Sequence, residues 1–108
     1  MRSVNRLAIV VRPKPAFFQW AQSLEGPSIN MEPWCSVYLA WASENELPTT
    51  TLRRHFNEVF EEQLLGWSTD ESEWPPRRTL AMFQEWFDVA LGDMVFDLSI
   101  KKPLKYDD

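Results

Sequence analysis

The alternation of apolar and polar residues along the chain predicts three β-strands. Residues 7–11 form a continuous β-prone apolar run within a first strand at Val4–Arg12, a pattern typical of a strand covered on both faces. Pro13 ends that strand, because proline cannot donate to a sheet ladder. A second strand is predicted at Cys35–Trp41, where Cys35, Val37, Leu39 and Trp41 share one face. A third is predicted at Met94–Ile100.

Apolar residues at helical spacing predict three helices. The first begins at Pro15 and stops before Gly26-Pro27. The second is capped by one of Thr49–Thr51 and ends at Gly66; its apolar face consists of Leu52, Phe56, Val59, Phe60 and Leu64. The third is capped by Thr79 and extends to Leu91, with apolar residues around most of its circumference. A helix this apolar is either deeply buried or shared with another chain.

The predicted order β-α-β-α-α-β fits one α+β domain spanning residues 1–108. We expect a two-layer sandwich, in which the three helices cover one face of a small three-stranded mixed sheet. The chain has 108 residues, and six tryptophans and seven phenylalanines supply ample core material. Residues 101–108 are expected to form a frayed tail. If the first two strands are parallel, the first two helices begin at the same end of the sheet.

Charge and cysteine content exclude several functions. The net charge of −5 argues against nucleic-acid binding, which requires a basic face, and against binding to anionic membranes. The apolar run at residues 7–11 is too short for a signal-peptide core or a membrane span, so a cytoplasmic location is expected. The single cysteine permits no intramolecular disulfide and no cysteine zinc cluster. No metal and no cofactor is predicted.

The candidate catalytic residues are sparse. His55 shares a helix face with Glu58 and Glu62, which suits a carboxylate–histidine metal site or an acid–base pair, although one helix offers too few metal ligands and a solvated face is the more common arrangement. Cys35 is a potential nucleophile, although free cysteines are usually buried and inert. Four further carboxylates could form a pair or a magnesium site but fit turns and surfaces better; they are Glu85, Asp88, Asp93 and Asp97. No catalytic residue is assigned.

Basic residues cluster at the start of each predicted helix, as Arg12 and Lys14, Arg53 and Arg54, and Arg77 and Arg78. This placement opposes the helix macrodipole, which favours acids at N-termini and bases at C-termini. The acidic loop at residues 70–73 could compensate, or an anionic ligand could bind where helix starts and arginines converge. The alternative is that these groups pair with surface acids.

Aromatic residues mark a second candidate surface. The acidic loop at residues 67–78 has Trp67 and Trp74 near its ends, and it either forms a lip around a ligand or is pinned to the core by both indoles. Met82 and Trp86 lie on the apolar third helix and join these tryptophans as candidate interface residues.

Two segments carry a family resemblance. Residues 5–15 (NRLAIVVRPKP) and residues 79–88 (TLAMFQEWFD) resemble a family of small bacterial proteins that has no assigned activity. The resemblance implies a bacterial, cytoplasmic protein, and it implies no mechanism.

Two functional hypotheses remain. The first is a non-enzymatic interaction module, either a homodimer or an accessory protein that binds a protein partner; the apolar third helix and the surplus of aromatic residues favour it. The second is a binder of an anionic small molecule, or an enzyme acting on one. It would use the basic helix starts together with the Trp67–Trp74 loop.

Overall fold

A computed structural model describes residues 2–25 and 34–106 and confirms the α+β class. The strands are β1 (Arg2–Val4), β2 (Leu7–Pro13), β3 (Ser36–Ala40), β4 (Phe87–Gly92) and β5 (Val95–Asp97). The helices are α1 (Pro15–Glu25), α2 (Pro48–Leu65) and α3 (Leu80–Trp86), with a short 3₁₀ turn at Glu71–Glu73. Within these described ranges, no helix combines the length and apolar character needed to cross a membrane.

The main sheet has three strands in the order β3-β2-β4, and both pairings are antiparallel. The expectation of a mixed sheet was therefore wrong. In the register, Val10 of β2 lies between Val37 of β3 and Ala90 of β4. The expected last strand at Met94–Ile100 is shorter, and β5 pairs with β1 in a separate two-stranded sheet instead of joining the main one.

One extra residue separates the two sheets. Ala8 pairs with Gly92 in the main sheet, and Val4 pairs with Val95 in the small one. Between these pairs, the chain that runs from β1 into β2 has three residues, 5–7. The chain that runs from β4 into β5 has only two, 93 and 94. An extra residue on one strand of an antiparallel pair is a β-bulge, which breaks the ladder and increases the local twist.

The third helix is shorter than predicted, and a strand follows it without a connecting loop. Thr79 caps α3 as expected, because its side chain accepts a hydrogen bond from the backbone N–H of Met82. The helix ends at Trp86, however, and Phe87 is already extended at φ −138° and ψ 141°. The prediction of helix through Leu91 was wrong because residues 87–92 pair with β2. Tertiary strand pairing here overrides a pattern that reads as helical.

The start of α2 also differs from the prediction. Leu47 occupies the N-cap position without a side-chain hydrogen bond, and Pro48 begins the helix. Thr51, predicted among the caps, lies inside the first turns and is fully buried.

The core lies on one face of the main sheet. Leu7, Ile9 and Val11 point from β2 into it and are at most 3% exposed. Four buried phenylalanines from α1, α2, α3 and β4 fill the space above them: Phe17, Phe60, Phe83 and Phe87. The Phe83 and Phe87 ring centroids are 5.1 Å apart, and Phe60 lies 5.6 Å from each. One cluster thus joins all three helices to the sheet.

We expect Phe83→Ala to destabilise the protein by about 3–5 kcal/mol, because it removes a fully buried ring and leaves a cavity. Urea unfolding followed by tryptophan fluorescence would measure the loss. Tyr106→Ala is the control; that side chain is 85% exposed, and its removal should change the free energy of unfolding by less than about 0.5 kcal/mol. Equal effects of the two substitutions would contradict the placement of Phe83 in the core.

Candidate functional site

The six basic residues predicted as an anion site lie in separate places. Because β2 and β3 are antiparallel, Arg12 and Lys14 lie at one end of the sheet, whereas Arg53 and Arg54 lie near the other. The arrangement in which two helix starts share one sheet end is therefore absent from this fold. Arg78 contacts the middle of α2.

Arg54 is held by an acid at the start of its own helix. Its guanidinium donates to both carboxylate oxygens of Glu46, at 2.8 and 3.0 Å, and to the carbonyl of Trp41 at 3.0 Å. The buried Thr51 hydroxyl also donates to Glu46. The hydrogen bonds from Arg54 and then from Thr51 hold the pKa of Glu46 below its ordinary value. Glu46 thus supplies the negative charge that the start of α2 otherwise lacks.

Two other basic residues have partners as well. Arg78 donates to Glu61 at 2.6 Å, to Asn57 at 3.0 Å and to the carbonyl of Pro75 at 3.0 Å. Lys14 donates from Nζ to the carbonyl of Gln84 at 3.2 Å. Because Gln84 lies in the last turn of α3, Lys14 is a cation at a helix C-terminus, which the macrodipole favours.

The remaining three basic residues are exposed, and one of them faces an acid across strands. Arg12 is the register partner of Asp88 on β4. Arg53 and Arg77 are exposed on α2 and in the loop before α3. None of the six lines the cavities described below.

The four loop and interface candidates, three tryptophans and one methionine, belong to the core or to its margin. Trp74 is buried and donates from its indole N–H to the carbonyl of Ser68 at 3.0 Å. The ring of Trp67 packs 5.9 Å from that of Trp34. Met82 and Trp86 pack against the core cluster, and the Trp86 ring is 5.4 Å from that of Phe60. These contacts hold the loop at residues 67–78 against the protein.

Other sequence candidates are dispersed. His55 Nδ1 lies 3.3 Å from a carboxylate oxygen of Glu58 on the surface of α2. Cys35 is exposed, so the expectation of a buried thiol was wrong. Among the residues that the structure describes, no group of three or more histidines, cysteines or carboxylates could hold a metal ion.

A large apolar surface lies on the side of the main sheet opposite the helices. We call it the open face: its members are Ala8, Val10, Arg12, Val37, Leu39, Asp88, Ala90 and Gly92, with Trp41 directly after β3. The side chains of Val37, Leu39 and Trp41 are 59%, 51% and 58% exposed. The sequence placed Val37, Leu39 and Trp41 on one side of a strand, but the β4 residues were hidden by the helical reading of residues 87–91.

A trough runs beside β3, between this strand and α2. It consists of two adjoining cavities of about 500 and 400 Å³ that share Tyr38 and Glu62. Ile9 and Val59 contribute apolar lining, and Glu58 and Glu62 line the helix side. Sequence analysis missed this site, because it requires α2 to lie along β3.

Gln63 joins the two walls of the trough. Its buried side-chain amide donates to Ser36 Oγ at 3.0 Å and to the Tyr38 hydroxyl at 2.8 Å, and its carbonyl oxygen accepts from the Trp34 indole at 2.9 Å. Partial burial raises the pKa of Tyr38; the Gln63 hydrogen bond opposes that effect, and the nearby charge of Glu62 adds to it. This network fixes α2 to β3.

Glu46→Gln should lower stability at neutral pH and have little effect in acid. The folded-state pKa of Glu46 lies below its unfolded value, so its carboxylate stabilises the fold above the unfolded pKa. That contribution is lost as pH falls through the folded pKa. Urea unfolding at about pH 7 and about pH 3 measures this effect. The difference in free energy of unfolding between wild type and Glu46→Gln should be smaller at the lower pH. Glu44→Gln at an exposed position is the control. A difference in free energy of unfolding between wild type and Glu46→Gln that persists at low pH would contradict the Glu46 contacts.

Gln63→Leu should destabilise the protein by about 2 kcal/mol, because it removes the partners of three polar groups. The free energy of unfolding in urea measures the loss. Glu62→Leu changes the exposed neighbouring residue, and we expect a loss of less than about 0.5 kcal/mol there. Equal losses from both substitutions would mean that the Gln63 hydrogen bonds contribute nothing to the free energy of unfolding.

Comparison with protein-family models, with curated proteins and with solved structures finds no match to this chain. The open face and the trough therefore carry what can be inferred about function.

Proposed function

We propose that the protein is a non-enzymatic interaction module that forms a homodimer, in which the open faces of two copies pack together. The observation that carries this proposal is the exposure of Val37, Leu39 and Trp41 on one continuous sheet face. Burial of apolar surface is favourable by about 25 cal/mol per Å², and a buried tryptophan is a common anchor of protein interfaces.

The charge of the open face suits self-association. Its only ionisable side chains are Arg12 and Asp88, which lie opposite each other on neighbouring strands and balance. The whole chain carries a net charge of −5, so most pairings of two copies bring like charges together. The open face carries no net charge, so pairing through it adds little to that repulsion.

The shape of the open face is also self-complementary. Larger side chains, Val37 and Leu39, lie on the β3 side, whereas the small Ala90 and Gly92 lie on the β4 side. A two-fold axis along β2 would place β3 of each copy over β4 of the other, so that large residues face small ones. Such an isologous contact is the commonest dimer arrangement, and packed sheets lie about 10 Å apart.

The alternative function, binding of an anionic small molecule, has weaker support. It needs several basic groups around one cavity, and the six candidate residues lie apart with Arg54 and Arg78 engaged by carboxylates. The open face could instead bind a protein of different sequence. In that case the isolated chain would be a monomer in the measurement that follows.

Sedimentation equilibrium should give a mass near twice the 12.7 kDa of the chain for the wild type. Ala90→Glu should give the monomer mass, because Ala90 is exposed in one copy and a carboxylate there would be buried against its mate. Ala81→Glu places the same charge on an exposed position of α3 and should remain dimeric. A wild type that stays monomeric at millimolar concentration would refute the homodimer.

A further inference from the structure

The outer edge of β3 has no strand partner among the described residues. In the described part of the chain, β3 hydrogen-bonds only to β2, so its other edge carries unpaired backbone N–H and C=O groups. Proteins commonly protect such edges with lysine, proline, a bulge or an inward-pointing charge. Residues 36–40 read Ser-Val-Tyr-Leu-Ala, so β3 contains no lysine, no proline and no charged side chain. An edge strand without such protection is suited to accept another strand.

The trough follows this same edge. Its two cavities extend from Trp34 and Trp67 at one end, past Tyr38, to Trp41 and His55 at the other. The five residues of β3 span roughly 17 Å at about 3.3 Å per residue. A groove between an edge strand and a helix is the geometry in which extended peptides add to a sheet, because backbone pairing supplies affinity and side-chain pockets supply selectivity.

The helix side of the trough is acidic. Glu58 and Glu62 both line it, and the Glu58 side chain is 75% exposed. Among the described residues, His55 and Tyr38 are the other titratable groups that line the trough, and no lysine or arginine lines either cavity. The charge of the trough is therefore complementary to a cationic side chain.

Aromatic side chains favour the same cation. Trp41 is 58% exposed beside the trough, and Trp34 and Trp67 line its other end. Arginine and lysine bind to indole faces as well as to carboxylates. The Tyr38 hydroxyl accepts from Gln63, so its own hydrogen can be donated to an occupant.

We propose that the trough between β3 and α2 binds an extended peptide with alternating basic and apolar residues, which adds as a strand to the free edge of β3. Alternate side chains of an added strand point to opposite faces of the sheet. The basic ones would point toward Glu58 and Glu62, and the apolar ones would extend the open face beside Val37 and Leu39. Leu39 and Trp41 lie at the border of this site and the open face, but the backbone pairing proposed here uses the edge of β3, whereas the dimer contact uses the face of the sheet.

Fluorescence anisotropy with a labelled eight-residue peptide of alternating arginine and valine tests this assignment. We expect saturable binding that weakens as salt is added, since the contacts are partly ionic. Two peptides serve as controls: one of the same composition with the arginines and valines in separate blocks, and one with backbone N-methyl groups at alternate positions. Both should bind at least about tenfold more weakly, because each disrupts the alternation or the backbone pairing.

Matched protein variants test the acidic wall. Glu58→Gln with Glu62→Gln should weaken binding of the alternating peptide by about tenfold. Glu71→Gln with Glu85→Gln removes the same charge from exposed positions away from the trough and should leave binding nearly unchanged. No binding of the peptide at millimolar concentration, equal binding of the block peptide, or equal effects of the two double variants would each overturn the assignment.

The Ala90→Glu variant separates this proposal from the homodimer. Ala90 lies on β4, on the far side of β2 from the trough, so peptide binding should persist in that variant. If the peptide dissociates a wild-type dimer and Ala90→Glu remains dimeric, the edge of β3 and not the open face holds the two copies together. That result would support the free-edge assignment and refute the open-face dimer.

Discussion

The fold depends on the burial of one side of the central strand β2. Leu7, Ile9 and Val11 point into the aromatic cluster, and elements from the whole chain pack against that side. Because the helices all cover the same face of the sheet, no second layer covers the opposite face within residues 2–25 and 34–106. Antiparallel sheets tolerate such an arrangement when the uncovered face is polar. Here Val10, Val37 and Leu39 occupy it, and this mismatch between exposure and side-chain type is the main functional signal of the molecule.

Elements with a pure local signal could be predicted from the sequence. The helical spacing of Phe56, Phe60 and Leu64 located α2, and the β-prone run at residues 7–11 located β2. The junction of α3 and β4 could not be located in this way, because Phe83, Trp86 and Phe87 are equally compatible with a continuous helix. The backbone donors and acceptors of β2 determine the result, and they lie more than 70 residues away in the chain. A long-range pairing of this kind leaves no local trace.

The same distinction holds for the candidate sites. The basic residues lie at the predicted places along the chain, but whether they converge depends on strand direction, which the sequence does not specify. The acidic loop at residues 70–73 was expected to compensate the basic residues at the helix starts, but other groups do so. Glu46 places its carboxylate at the start of α2, and Lys14, which directly precedes α1, places its ammonium group at the C-terminal end of α3. Lys14, Arg54 and Arg78 donate to acceptors that the tertiary fold supplies, whereas Arg12, Arg53 and Arg77 stay exposed.

The strand β3 connects the two surfaces to which function is attributed. Its odd-numbered residues, Val37 and Leu39, belong to the open face, while Ser36 and Tyr38 point toward α2. A slip of one residue in its pairing with β2 would exchange these sets and put apolar side chains against Gln63. The Gln63 amide disfavours that slip, because its two donors require acceptors at two positions spaced two residues apart on the same side of the strand. Buried polar networks of this kind specify a register as well as stabilise it. One glutamine on α2 therefore helps to determine which side chains of β3 lie on the open face and which point toward α2.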